Sequence, residues 1–222
     1  MDDQSNSDHL SSSLTDLMAS LMVIFILLLL VFISHTASKD AAMTDTLLRQ
    51  LQQDFKPQDA AERVVDIKKD KAPNVILIIV PDNLMGFDPS KDILKPQGAQ
   101  CLRGFTPRLA KTICDQRFRS SVDSIVVEGH TDRTRPAAQD GQKYNLKLSQ
   151  DRSLAVVNAG LDTLDSNQTD RNCFLEELSA TGRGEQDCSK SLPDNSGDCR
   201  QVIFKIRVKV KDEGTVEQRL SQ

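Results

Sequence analysis

Leu17 to Ile33 reads LMASLMVIFILLLLVFI, an apolar run broken only by Ser20. Extended back to Leu14, it reaches the roughly 20 residues that cross a bilayer core at about 1.5 Å per residue. A secretory leader would call for a basic start and a small-residue cleavage site. Here no Lys or Arg precedes Lys39, whereas Asp2, Asp3, Asp8 and Asp16 do. Residues 14–34 are therefore expected to be a retained transmembrane helix in the lipid bilayer, preceded by a polar tail over 1–13. Lys39 and Arg49 follow the run, and by the positive-inside rule they favour a cytoplasmic C-terminal side.

The remainder has the length of one ordinary domain plus appendages. A net charge of -4 argues against nucleic acid as a partner, since that calls for a concentrated basic patch. The five cysteines, Cys101, Cys114, Cys173, Cys188 and Cys199, suit an oxidising compartment and match no zinc spacing. The last three surround a Gly/Ser/Asp-rich stretch where a disulfide would staple a loop. The odd number leaves a thiol free or paired between chains.

After the membrane run, Thr44, Leu47, Leu48, Leu51 and Phe55 recur at helical spacing. They mark an amphipathic helix ending near Pro57, and the charged stretch Asp59 to Pro73 reads as linker, so 35–73 is expected to be a helical stalk and linker. A folded domain over 74–212 begins with the buried strand Asn74 to Val80, and a tail over 213–222 follows it. Two helical stretches are expected around Pro107, with Thr106 capping the second. Ser124 to Glu128 is a strand ending at Gly129. Ser149 is expected to cap a helix with the stripe Leu154, Val157, Leu161 and Leu164. In Val202 to Val210, Phe204, Ile206, Val208 and Val210 alternate with Lys205, Arg207 and Lys209, the pattern of a strand wet on one face. The fold class implied is α/β, a sandwich with helices on one side of a mixed sheet.

Two motifs carry the functional reading. Val127-Glu-Gly-His-Thr-Asp132, followed by Tyr144-Asn-Leu-Lys-Leu-Ser-Gln-Asp-Arg152, resembles the signature of the OmpA C-terminal domain family, and Asn83-Leu-Met-Gly-Phe-Asp88 resembles its opening. That resemblance covers roughly 75–212. It implies a domain that binds the diaminopimelate of the peptidoglycan stem peptide, whose free end carries an ammonium and a carboxylate. By resemblance Asp132 takes the ammonium and Arg152, from the first turn of a helix, takes the carboxylate. Arg suits that partner because its planar fork binds both oxygens. Thr131, Asn145 and Leu148 are expected to shape the pocket. The family's closing Asn-Arg-Arg-Val is reduced to Cys199-Arg-Gln-Val202, and the loop 133–143 is longer than usual. His130 is expected to be structural, with no second metal ligand beside it. Neither cofactor, metal nor catalytic residue is expected, and hence no enzyme.

Leu14-Thr-Asp16-Leu-Met-Ala-Ser-Leu-Met22 resembles the start of the transmembrane helix in MotB-type stator subunits. An ionisable group in a membrane segment usually faces a protein interior or an ion path. The bland alternative is a wet carboxylate favouring the helix N-terminus. The resemblance implies instead that Asp16 carries a proton, with Ser20 one turn away on the same face. It further implies a homodimer inside a ring of a multi-pass MotA-like partner, anchored in the inner membrane with the C-terminal domain periplasmic. The helix around Leu47 to Phe55 would be a dimerising stalk or a plug. Flagellar relatives usually carry a longer, basic cytoplasmic tail, so the short acidic one is more like the MotB-like subunit (ZorB) of Zorya anti-phage systems. A passive membrane-to-wall tether is the competing class.

Overall fold

The alternating segment at the C-terminal end becomes a central strand of a five-stranded sheet. A computed structural model of the chain describes residues 4–56, 65–134, 140–189, 191–193 and 196–209. The chain divides into two compact units, residues 1–40 with 211–222, and residues 41–210.

In the first unit the apolar run lies within a long helix, α1 (Gln4–Asp54). From Asp16 to Ile33 none of its residues is buried against protein. Large apolar side chains such as Leu21, Phe25, Leu28 and Val31 stand exposed on all faces. A helix that is apolar all round and covered by nothing fits hydrocarbon as its solvent.

The second unit contains the C-terminal end of α1, then β1 (Asp66–Lys69), β2 (Val75–Pro81), α2 (Asp82–Met85) and α3 (Pro96–Ile113). After these come β3 (Val122–His130), α4 (Gly141–Asp162), α5 (Gln168–Glu176), β4 (Leu178–Gly184) and β5 (Gln201–Val208). The strand order is β1-β2-β5-β3-β4. Only β3 and β4 run parallel; the other pairs are antiparallel. Register aligns Ile78 and Val127 with Phe204, and Ile76 and Ile125 with Ile206. This makes one continuous buried face. The mixed α/β sheet expected from the sequence is present.

Three expectations need correction. Pro107 does not divide two helices, because α3 runs through it unbroken. A proline inside a helix costs about 3 kcal/mol. Leu102, Phe105, Leu109 and Ile113 are all buried on one face of α3, and each contributes roughly 1.5–3 kcal/mol. Packing outweighs the proline. Ser149 caps nothing: α4 starts eight residues earlier, where the Asp140 side chain accepts from the Lys143 backbone N–H. Of the expected stripe, Leu161 and Leu164 are buried and Val157 packs partly against the core, while Leu154 is half exposed. Finally, two elements fall in the stretch read as stalk and linker. Leu47 and Leu51 belong to the core of the second unit, and Asp66–Lys69 adds an edge strand to β2. Phe55 reaches Phe105, which in turn reaches Phe204, with ring centroids 5.0 and 4.9 Å apart.

Two disulfides lie in this unit, Cys114–Cys173 and Cys188–Cys199, leaving Cys101 as a free thiol. The second staples the Gly/Ser/Asp-rich loop as expected, while Cys173 pairs across to the end of α3 instead.

The sheet and α4 meet unusually closely. A Cβ built on Gly129 would lie 2.1 Å from the Ser149 carbonyl oxygen. That proximity sets the C-terminal end of β3 directly beside the middle of α4. Gly129→Ala is expected to destabilise the protein by about 3 kcal/mol or more, since backbone rather than a flexible side chain must move. Thermal unfolding of purified variants checks this.

Candidate functional site

Strand β3 delivers His130, and the extended residues after it are Thr131 and Asp132. Helix α4 presents Asn145, Leu148 and Arg152, which recur every three or four residues and so share a face. Thr131 and Asp132, with Asn145, Leu148 and Arg152, line one cavity of about 320 Å³, completed by Pro89, Ser90, Thr134, Tyr144 and Arg200. All five residues assigned to the wall-binding site from the sequence are thus brought together.

Arg152 is only 3% exposed. It sits mid-helix rather than in a first turn, because α4 begins at Gly141. The loop after α2 holds it there. Nε donates to the Lys91 carbonyl at 2.9 Å and Nη2 to the Asp88 carbonyl at 3.0 Å. Its guanidinium lies 5.1 Å from the Phe87 ring centroid, within cation–π range. Burial lowers the pKa of this guanidinium, and the charges of Asp82 and Asp132 partly oppose that. Among the described residues no carboxylate forms an ion pair with it. A buried cation held by neutral carbonyls is suited to receive an anionic group from outside.

Asp132 is arranged differently. Its Oδ1 accepts the Thr134 backbone N–H at 3.0 Å, and its Oδ2 pairs with Arg200 Nη1 at 2.8 Å. Its own carbonyl accepts from Asn145 Nδ2 at 3.2 Å, tying strand end to helix. Arg200 also donates from Nε to Asp82 Oδ2 at 2.9 Å. Burial opposes the charge on Arg200, but the hydrogen bonds to Asp132 and Asp82 outweigh it and the net shift is upward. The Thr131 hydroxyl is buried and has no hydrogen-bond partner among the described residues. It is a polar group at the cavity wall left for a ligand.

Arg200 was missed as a site residue in the sequence. The only signal was Cys199-Arg-Gln-Val202, which reads as a weakened motif because its second arginine is gone. The first arginine of that motif is the one that reaches the cavity.

His130 is 4% exposed, and its imidazole lies 3.6 Å from Glu128 and 3.5 Å from Asp187. Lys205 approaches the same Glu128 oxygen at 2.7 Å, outside hydrogen-bonding angles. Burial would raise the Glu128 pKa, but His130 and Lys205 outweigh it and lower it. These groups form a charge cluster whose residues do not line the cavity. Among the described residues no three potential ligands converge as a metal site.

In the first unit, Asp16 is exposed at the N-terminal edge of the apolar run. The Ser20 hydroxyl donates to the Leu17 carbonyl at 3.0 Å, which satisfies it without leaving the helix.

No family model matches the chain, and none of the curated proteins is similar enough to count as a relative. Solved structures do match. A MotB-like protein from Desulfovibrio vulgaris is 22% identical, with a TM-score of 0.56 over 80% of this chain and 99% of that one. The periplasmic domain of Helicobacter pylori MotB is 16% identical, with a TM-score of 0.51 over 75% of this chain and 96% of that one. The chain therefore carries the mixed α/β fold of MotB-type periplasmic domains behind a single apolar N-terminal helix.

Proposed function

We propose that this chain is a single-pass inner-membrane subunit that grips peptidoglycan through its periplasmic unit and serves as the stator of a proton-driven rotary motor. The observation that carries the wall-binding part is the single cavity holding Asp132 and Arg152 together with Thr131, Asn145 and Leu148. A zwitterionic amino-acid end such as that of diaminopimelate matches an acid and an unpaired guanidinium set in one pocket. Asp132 takes the ammonium, Arg152 takes the carboxylate on the same carbon, and Leu148 packs on the methylenes that lead from that carbon to the stem peptide.

The membrane part rests on Asp16 and Ser20 at the start of the apolar helix. Asp16 carries the proton in this reading, and the remaining faces of the helix suit a homodimer enclosed by a MotA-like ring. The first Lys and Arg after the helix favour the opposite orientation, but two disulfides in the second unit support a periplasmic location. Residues 1–13 are then a cytoplasmic tail and 14–34 the membrane span. Leu47 and Leu51 pack in the core of the second unit, so part of the stretch expected as a stalk supports the proposed wall-binding domain. The acidic residues Asp2, Asp3 and Asp8, where flagellar relatives usually carry a basic tail, support a Zorya-type anti-phage motor ahead of a flagellar one.

Cosedimentation of the detergent-solubilised chain with purified sacculi tests the wall claim. Sacculi built on diaminopimelate are expected to pellet the protein, and sacculi built on lysine are expected to leave most of it in solution. Equal pelleting with both would refute the assigned chemistry.

A further inference from the structure

The connection from β4 to β5 reaches the proposed site at three points. The Glu185 carboxylate accepts from Asn145 Nδ2 at 2.6 Å. The Leu192 carbonyl accepts from the Arg133 guanidinium. Arg200 bridges Asp132 and Asp82, as described above. Its backbone is latched as well, because the Asp82 N–H donates to the Arg200 carbonyl at 3.0 Å. The Cys188–Cys199 disulfide closes this connection with its Cα atoms 4.9 Å apart, and Cys199 immediately precedes Arg200.

These contacts fix Asp132 on both sides. Thr134 holds Oδ1 and Arg200 holds Oδ2, so each oxygen is restrained by one hydrogen bond and keeps the capacity to accept another. Arg200 itself is held by Asp82 on one side and by the disulfide through the chain on the other. Among the described residues no hydrogen bond joins these contacts to Arg152, which the loop carbonyls of Asp88 and Lys91 anchor, although the charges of Asp82, Asp132 and Arg200 act on it. The acid half and the base half of the cavity are therefore held by separate hydrogen bonds.

We propose that Arg200 is a positioning residue that aims the Asp132 carboxylate at the ligand's ammonium, and that the Cys188–Cys199 disulfide keeps Arg200 in place. This rests on the reading of Asp132 as the ammonium acceptor. It makes recognition of the amine, and not of the carboxylate, depend on the disulfide-closed connection.

The test titrates the full-length chain in detergent with two probes. One is a muropeptide whose stem ends in free meso-diaminopimelate, and the other is the same molecule with its side-chain amine acetylated. Wild type is expected to prefer the free amine. Arg200→Gln should weaken binding of the free-amine probe about tenfold or more. It should leave the acetylated probe unchanged, so that the preference collapses, and Arg200→Lys should restore part of it. Cys188→Ser with Cys199→Ser, which leaves Cys114–Cys173 intact, should lower the preference without abolishing binding. A merely structural role would weaken both probes equally, and that result in a variant with an unchanged melting temperature overturns the proposal. A double serine variant with wild-type preference overturns the role of the disulfide. If wild type shows no preference for the free amine, the reading of Asp132 fails and this inference fails with it.

Discussion

Arg152→Ala is expected to lower affinity for a diaminopimelate muropeptide about 100-fold. Truncating one partner of a buried, hydrogen-bonded charge pair typically costs about 2–5 kcal/mol, and each 1.4 kcal/mol is tenfold. The loss has two sources. The ligand's carboxylate forfeits its cation, and the carbonyls of Asp88 and Lys91 forfeit the donors that order their loop. Arg152→Lys should recover little, because an ammonium cannot reach both carbonyls and also fork onto a carboxylate. Titration calorimetry reads the affinity. A thermal melt separates it from the destabilisation of about 1–3 kcal/mol expected from unsatisfied carbonyls.

The second large effect is on the membrane side. Asp16→Asn preserves shape and removes the only ionisable group between Asp16 and Ile33. In cells carrying the native operon, phage protection is expected to fall to the level of the empty vector, with membrane abundance and sacculus binding unchanged. Protection that survives the substitution would take Asp16 out of the mechanism and leave a passive tether. The two substitutions are thus expected to separate the two proposed roles: Arg152→Ala should loosen the grip on the wall, and Asp16→Asn should stop the drive.

Much of the site could be read from the amino-acid sequence because its residues cluster in two short motifs. Gly129 to Asp132 closes a strand, and Asn145 to Arg152 covers two turns of a helix. Local periodicity therefore preserves their mutual geometry. Arg200 could not be read in this way. It lies 68 residues beyond Asp132, and only the antiparallel pairing of β5 with β2 and β3 brings it to the cavity. The boundaries failed where tertiary packing opposed a local rule. Pro107 looked like a helix start because proline is favoured at that position, yet the buried face of α3 continues through it. Ser149 looked like a cap, but its hydroxyl instead receives the Gly184 backbone N–H at 2.8 Å, joining α4 to β4. The edge strand β1 was hidden because an exposed, charged DIKK segment has no alternation to show.

The proposed function pairs an apolar membrane helix with a unit that holds the wall, and the wall contact can be measured by itself. The most direct measurement is calorimetric titration of the full-length chain with a muropeptide whose stem peptide ends in meso-diaminopimelate, against the same molecule ending in lysine. The lysine form keeps an amine but lacks the carboxylate that Arg152 is placed to receive. Saturable binding of the first and at least tenfold weaker binding of the second is the expected result. Equal affinity for the two would contradict the assignment of Arg152 and, with it, the cavity as the site that holds the wall.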